Sequence, residues 1–240
     1  MNKQKRVFVT GDLHAGHDGR IDDIFEFEED YCINHNIEFT KDDTLIILGD
    51  FGYIFAPKPS IAEDVNLEMF KEFGFTTAFI DGNHDNHPRI NAFPEAQWHG
   101  GKVHQINESL YHLCRGEVFQ FGDKKIMTIG GAASIDKEWR VEGESWWATE
   151  LLSKADEDNI FDNLEKNKDI DIILAHTCPT DMIPYLGYFP KLDPTNKVLQ
   201  EVWNRTSADW YFGHFHEDKV LDIPFDRICR CLMRDFVRVV

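Results

Sequence analysis

Five short apolar runs, each stopped by a turn carrying Gly, Asp, Asn or His, constrain this chain more than any other feature. Arg6–Thr10 ends at Gly11-Asp12-Leu13-His14, Thr44–Leu48 at Gly49-Asp50, and Thr77–Ile80 at Asp81-Gly82-Asn83-His84-Asp85. Ile170–Ala175 ends at His176, and Trp210–Phe212 at Gly213-His214-Phe215-His216. Runs that are apolar at successive positions predict strands covered on both faces. In such sheets ligands collect at the strand ends, and glycine lets the backbone turn there without a Cβ clash.

Helical periodicity fills the gaps between these runs. Ile21–Asn36 is apolar at Ile21, Ile24, Phe25, Phe27, Tyr31 and Cys32, and Ile61–Phe73 at Ile61, Val65, Met69, Phe70 and Phe73. Asp158–Lys166 and Pro194–Asn204, the latter with Pro in its first turn, are further helices. The first half therefore alternates strand and helix. The second half instead places short strands in succession at Leu110–Cys114, Val118–Phe121 and Lys125–Ile129, with more between Lys219 and Val240. The pattern predicts two packed sheets with helices outside, an α/β arrangement (α+β by some schemes) in one domain over residues 1–240. Apolar residues make up 42 % of the chain, including 19 Phe and 6 Trp, enough for a large core.

Charge and cysteine usage exclude several function classes. With 25 basic and 43 acidic residues, the net charge of −18 repels phosphate backbones and argues against extended nucleic acid as a partner. The five cysteines are odd in number and hold no Cys-x-x-Cys pair, which argues against a disulfide framework or a cysteine zinc site. The first residues lead straight into a strand without a signal peptide. No apolar run approaches the roughly 18 residues of a membrane span. A cytoplasmic protein with no membrane partner is expected.

Asp12, His14, Asp50, Asn83, His176, His214 and His216 offer oxygen and imidazole donors that suit Mn²⁺, Fe²⁺, Zn²⁺ or Co²⁺. They exceed the needs of one ion. Two ions sharing a bridging carboxylate use them all, an arrangement that clamps an in-line displacement with the ions roughly 3.5–4 Å apart.

The order Asp-x-His, Gly-Asp, Gly-Asn-His-Asp, His, Gly-His-x-His resembles the calcineurin-like metallophosphoesterase signature, spread over residues 11 to 216. The resemblance implies a four-layer α/β/β/α sandwich of the metallo-dependent phosphatase type. It implies that Asp12, His14 and His216 hold one ion, that Asn83, His176 and His214 hold a second, and that Asp50 bridges them. His84 would serve the leaving group as general acid or electrostatic stabiliser, with Asp85 orienting it. The implied activity is hydrolysis of phosphoester bonds, monoester or diester, by a hydroxide held between the two metals. Manganese is the expected ion in vitro.

Gly49-Asp50-Phe51-Gly52-Tyr53 and Asp81–Asp85 lack the arginines that the Ser/Thr phosphatase branch carries there, which sets this chain apart from that branch. A small phosphorylated substrate or a phosphopeptide is expected. The rival readings are a catalytically weak binding scaffold and a nuclease acting on nucleic-acid ends. The full donor set argues against the first, and the lack of clustered Lys/Arg against the second.

Gly130–Arg140, reading Gly-Gly-Ala-x-Ser-x-Asp-x-x-x-Arg, is similar to a stretch in some bacterial and phage-like members of that family. Arg140 there is either a fork of donors for a substrate phosphate or a surface partner of Glu138, Glu142 or Glu144. Met182–Leu192, with Trp146 and Trp147, reads as an aromatic lid or as core packing. His17 and His87 read as polar loop residues. His35, His99, His104 and His112 read as ordinary surface or core histidines, Cys178 as a packing thiol, and Glu26–Asp30 as a solvated helix face.

Overall fold

The computed structural model describes residues 5–189 and 193–240. In chain order its first half runs β1 (Val7–Thr10), α1 (Arg20–His35), β2 (Thr44–Ile47), α2 (Ile61–Met69), β3 (Thr76–Phe79), α3 (His87–Ile90), β4 (Glu95–Trp98), β5 (Gly101–Asn107) and β6 (Leu110–Leu113). The second half runs β7 (Val118–Phe121), β8 (Lys124–Ile129), α4 (Lys154–Lys166), β9 (Ile172–Ala175), α5 (Pro194–Arg205), β10 (Asp209–Phe212), β11 (Lys219–Val220), β12 (Cys229–Cys231) and β13 (Val237–Arg238).

The strands form two sheets, ordered β13-β1-β2-β3-β6-β5-β4 and β11-β12-β10-β9-β8-β7. β1, β2 and β3 are parallel, as are β8, β9, β10 and β12. Each parallel strand is covered on both faces, and its alternate residues serve different layers. Val7, Val9, Ile46 and Leu48 meet Ile126, Ile172, Leu174 and Tyr211 in a core between the sheets. Phe8, Leu45 and Ile47 face outward against Ile24, Phe27 and Leu67 of α1 and α2. Ile173, Ala175 and Trp210 face the other way, against Ile160, Leu199 and Trp203 of α4 and α5. The result is the four-layer α/β/β/α sandwich.

Local chemistry fixes the helix starts. Ser60 Oγ accepts from Glu63 N at 3.1 Å ahead of α2, Ser153 and Asp156 form a capping box ahead of α4, and Asp193 caps α5. Two expectations change. α2 stops at Met69, and its Ile61 and Val65 stand in solvent, so its buried side is set by Glu63 and Leu67. The β4–β5 hairpin, turning through His99 and Gly100 at φ 49° and 88°, was not expected. No helix among the described residues is long and apolar enough to cross a membrane. All five cysteines are free, and Cys178 is buried in the second sheet's outer core.

Candidate active site

The parallel strands of both sheets end at one seam, and all seven candidate donors hang from those ends. The Leu48 carbonyl closing β2 lies 2.8 Å from Nδ1 of His176 after β9. The His214 backbone N–H after β10 donates to both Asp12 oxygens at 3.0 Å. Residues more than 200 positions apart therefore share one site.

Glycine is required here by close approach. A Cβ on Gly82 would lie 2.1 Å from Asp50 Oδ1, and one on Gly213 would lie 2.3 Å from Asp12 Oδ1. The donors themselves are bent: His14, Asp50, His214 and His216 all have positive φ, between 45° and 69°. Such conformations cost roughly 1–3 kcal/mol each and persist only where surrounding structure imposes them.

The donor atoms face one another. His14 Nε2 is 3.0 Å from His216 Nε2 and 3.7 Å from Asp50 Oδ2, and His216 Nε2 is 3.3 Å from Asp12 Oδ2. His176 donates its Nδ1 proton to the Leu48 carbonyl, which leaves the Nε2 lone pair directed inward. That lone pair faces Asn83 Oδ1 at 3.2 Å and Asp50 Oδ1 at 3.3 Å. Asn83 turns its oxygen inward because its Nδ2 donates to Ser134 Oγ at 3.3 Å. His214 packs edge-on to His176, with ring centroids 4.9 Å apart.

Lone pairs set against lone pairs repel unless a proton or a metal cation lies between them. Asp12 and Asp50 are buried, and among the described residues the side chains within ion-pairing distance of them are imidazoles. Burial, then the charge of Asp50, pushes Asp12 well above the usual carboxylate range, and burial pushes Asp50 up to about 6. Burial also lowers His14, to about 3, together with His84, His176, His214 and His216, so the rings are neutral. Carboxylates, an amide oxygen and neutral imidazoles form a donor set suited to borderline divalent ions, and the side chains present fit such ions.

His84 and Arg140 stand together beside the donors. Arg140 Nη2 is 3.0 Å from His84 Nε2, and Arg140 Nε pairs with Asp136 at 2.8 Å rather than with Glu138, Glu142 or Glu144. The His84 ring lies 5.1 Å from that of His14.

Asp85 departs from expectation. Its carboxylate accepts the backbone N–H groups of Phe51, Gly52 and Gly82 at 3.2, 2.8 and 2.8 Å, so it braces the two turns around Asp50 rather than holding the His84 ring. The family resemblance implied a contact with the His84 ring, but the carboxylate turns to these backbone groups instead.

Several supporting residues escaped the sequence reading. Glu150 is buried and accepts from Ser134 N at 2.8 Å and from Ser134 Oγ at 2.6 Å, fixing the hydroxyl that holds Asn83. Arg20 is fully buried and donates to the Asp12 carbonyl and to Thr10 Oγ1, both at 3.0 Å. His87, expected in a polar loop, is buried at the start of α3 with Nε2 3.0 Å from the Gly82 carbonyl. His17 is exposed. Within Met182–Leu192, Met182, Ile183 and Leu186 are core, Tyr185, Tyr188 and Phe189 are exposed, and Pro190–Leu192 lie outside the described residues. Trp147 is buried and meets Phe55 edge-on at 5.1 Å, and Phe55 stacks toward His84 at 6.2 Å.

A putative 5′-nucleotidase from Staphylococcus aureus, solved with alpha-ketoglutarate, aligns with 97 % of this chain and 50 % of its own at 15 % identity, with a TM-score of 0.54. The Thermus thermophilus sulfate thiohydrolase SoxB, solved with glycerol, aligns with 98 % of this chain and 52 % of its own at 8 % identity, with a TM-score of 0.47. The chain thus spans about half the length of these structures, and the first supports the same fold. No curated protein matches it significantly. The calcineurin-like phosphoesterase profile matches residues 5–218, and the chain belongs to that family.

Proposed function

We propose that this protein is a metal-dependent phosphoester hydrolase acting on small phosphorylated molecules. The observation that carries the reading is the convergence of the nitrogen and oxygen donors of His14, His216, His176, Asn83, Asp12 and Asp50 on one seam, a set that fits divalent cations. Asp12, His14 and His216 would hold one divalent ion and Asn83, His176 and His214 a second, with Asp50 between them. Ions bound there would supply Lewis-acid polarisation of a phosphoryl oxygen and activation of water at neutral pH.

The remaining steps belong to the chain. Arg140 offers a planar pair of donors to phosphate oxygens, a bidentate grip that lysine does not reproduce. The phosphate draws Arg140 away from His84 and leaves His84 Nε2 facing the leaving oxygen. The freed Nε2, protonated from solvent while Nδ1 keeps its own proton, gives that proton to the ester oxygen as the bond to phosphorus breaks, and the ring returns to its neutral form. Phe55, itself packed edge-on against Trp147, lies against the His84 ring and gives that side of the site an aromatic wall. The net charge of −18 disfavours long polyanions and leaves a small ester, including a nucleotide, as the better substrate.

The test strips the protein with chelator and restores Mn²⁺, Fe²⁺, Zn²⁺ or Co²⁺ separately. Uptake of two ions per chain and hydrolysis of generic mono- or diesters is expected. Failure to retain any of these ions, or retention without turnover of any ester, would overturn the proposal.

A further inference from the structure

A second group of metal-type donors lies on the outer face of the first sheet. β5 and β6 pair antiparallel with His104 directly opposite His112. Cys114 follows His112 by two residues and so shares its face. All three side chains are buried. His104 Nδ1 and His112 Nδ1 are 3.0 Å apart, Cys114 Sγ is 3.6 Å from His104 Nδ1, and donor atoms of the three lie within 4.8 Å of one another. Nitrogen and sulfur ligands of a tetrahedral zinc ion, at about 2.0–2.1 Å and about 2.3 Å from it, are separated by roughly 3.4 Å and 3.6 Å along the tetrahedron's edges.

The surroundings settle which nitrogen is free. His112 Nε2 lies 3.0 Å from Asp81 Oδ1, and Arg115 donates to Asp81 Oδ2 through Nε at 2.9 Å and Nη2 at 2.7 Å. The carboxylate, anchored by Arg115, accepts a hydrogen bond from His112 Nε2–H, which leaves the Nδ1 lone pair aimed at His104. A carboxylate behind an imidazole is the usual support for a metal-bound histidine. The three donors also line a cavity of about 720 Å³, shared with His87, Asp156 and Asn159, which provides an entry path and room for a fourth ligand.

We propose that His104, His112 and Cys114 form a separate zinc site, with the fourth position open to that cavity. Binding forms one Zn–S and two Zn–N bonds. The Cys114 thiol gives its proton to solvent, and the thiolate offsets one of the two metal charges. Asp81 links this site to the candidate active site without sharing a ligand. Its backbone carbonyl accepts from Gly131 N at 2.8 Å, and it precedes Gly82-Asn83 in the chain. A zinc ion on His112 would thereby stiffen the support of the Asn83 turn.

None of the seven donors of the proposed two-metal centre is a thiol, so a sulfur signature cannot come from that centre, and the Cys114 variant assigns it among the five free cysteines. Chelated full-length protein is titrated with Co²⁺ and followed by absorption. A thiolate-to-cobalt charge-transfer band is expected in the parent and in Cys178→Ser, and its loss in Cys114→Ser, together with one fewer ion per chain. No such band in the parent at saturating Co²⁺, or a band that persists in folded Cys114→Ser, overturns the site. Should Cys114→Ser fail to fold, X-ray absorption at the zinc edge of the zinc-loaded parent decides. A sulfur shell at about 2.3 Å supports the site, and nitrogen and oxygen shells alone overturn it.

Discussion

Arg140 Nη2 lies 3.0 Å from His84 Nε2, and the guanidinium has no lone pair to offer. His84 therefore accepts this hydrogen bond and carries its own proton on Nδ1. In this state it cannot donate through Nε2 until Arg140 is drawn elsewhere. Removing the histidine should leave both ions in place and cut the rate: His84→Ala is expected to lower kcat by about 10²–10⁴-fold. Steady-state kinetics beside metal analysis checks this, and parent-like turnover in His84→Ala would remove its assigned role.

Arg140→Ala should act mainly on substrate grip. Loss of a charge-assisted bidentate contact is worth about 1.5–3 kcal/mol, which corresponds to a drop of roughly 10–150-fold in kcat/KM. Arg140→Lys should recover only part, because a point charge does not match the planar fork. An unchanged KM and kcat in Arg140→Ala would place the residue outside the substrate's reach.

Asp50→Asn and His176→Ala should each abolish turnover and reduce the metal content. Asp50 is the carboxylate proposed between the ions, and His176 Nε2 sits within 3.3 Å of it. Circular dichroism should show an intact fold. Full metal occupancy with retained activity in either variant would break the donor assignment.

Ser134→Ala or Glu150→Gln should loosen the Asn83 side without touching a donor. Glu150 fixes Ser134, and Ser134 fixes the Asn83 amide. Outer partners of this kind are worth about 10–100-fold in metal affinity. Competition with a chelator measures it: one ion should become easier to strip while the other holds. Equal retention of both ions would show that Asn83 needs no such support.

Away from the site, Arg6 and Asp43 form a buried ion pair, with Nη2 and Nε donating to Asp43 at 2.6 and 2.9 Å. Burial alone would raise Asp43, but hydrogen bonds from Arg6 and Thr40 outweigh it and hold the carboxyl below its usual range. A depressed carboxylate stabilises the fold above its unfolded pKa of about 3.9 and loses that contribution as the pH falls through the folded value. Asp43→Asn should cost about 3–5 kcal/mol near neutrality. The gap to the parent should narrow below about pH 4. Urea unfolding across pH tests it, and a gap that stays constant down to pH 2 would contradict the pairing.

The parallel strands were legible because burial on both faces writes a continuous apolar run, and their Gly-bearing ends marked the donors. The β4–β5 hairpin was not. Its strands mix Glu, Gln, Lys and His with a few apolar residues, and its exposure alternates without a clean period. The role that the family resemblance implied for Asp85 differs from the contacts it makes, because a motif does not fix which way a side chain leaves a turn. Arg20, Glu150 and Arg115 were invisible because the partners that matter to the site, Asp12, Ser134 and Asp81, lie 8, 16 and 34 residues away. The His104–His112–Cys114 group escaped for the same reason. Only the hairpin register of β5 and β6 brings His104 opposite His112, and no spacing rule for cysteine zinc sites covers it.

The contact between His214 and Asp12 spans 202 positions, and it joins the end of a strand in one sheet to the end of a strand in the other. A half-assembled chain, with only its first sheet formed, holds Asp12, His14, Asp50 and Asn83 but neither His214 nor His216. Pairings of such long range slow folding, because the loop between them must be closed before they form. Only the finished sandwich therefore presents all seven donors to an ion, which would then lock it like a rivet set after the plates are aligned.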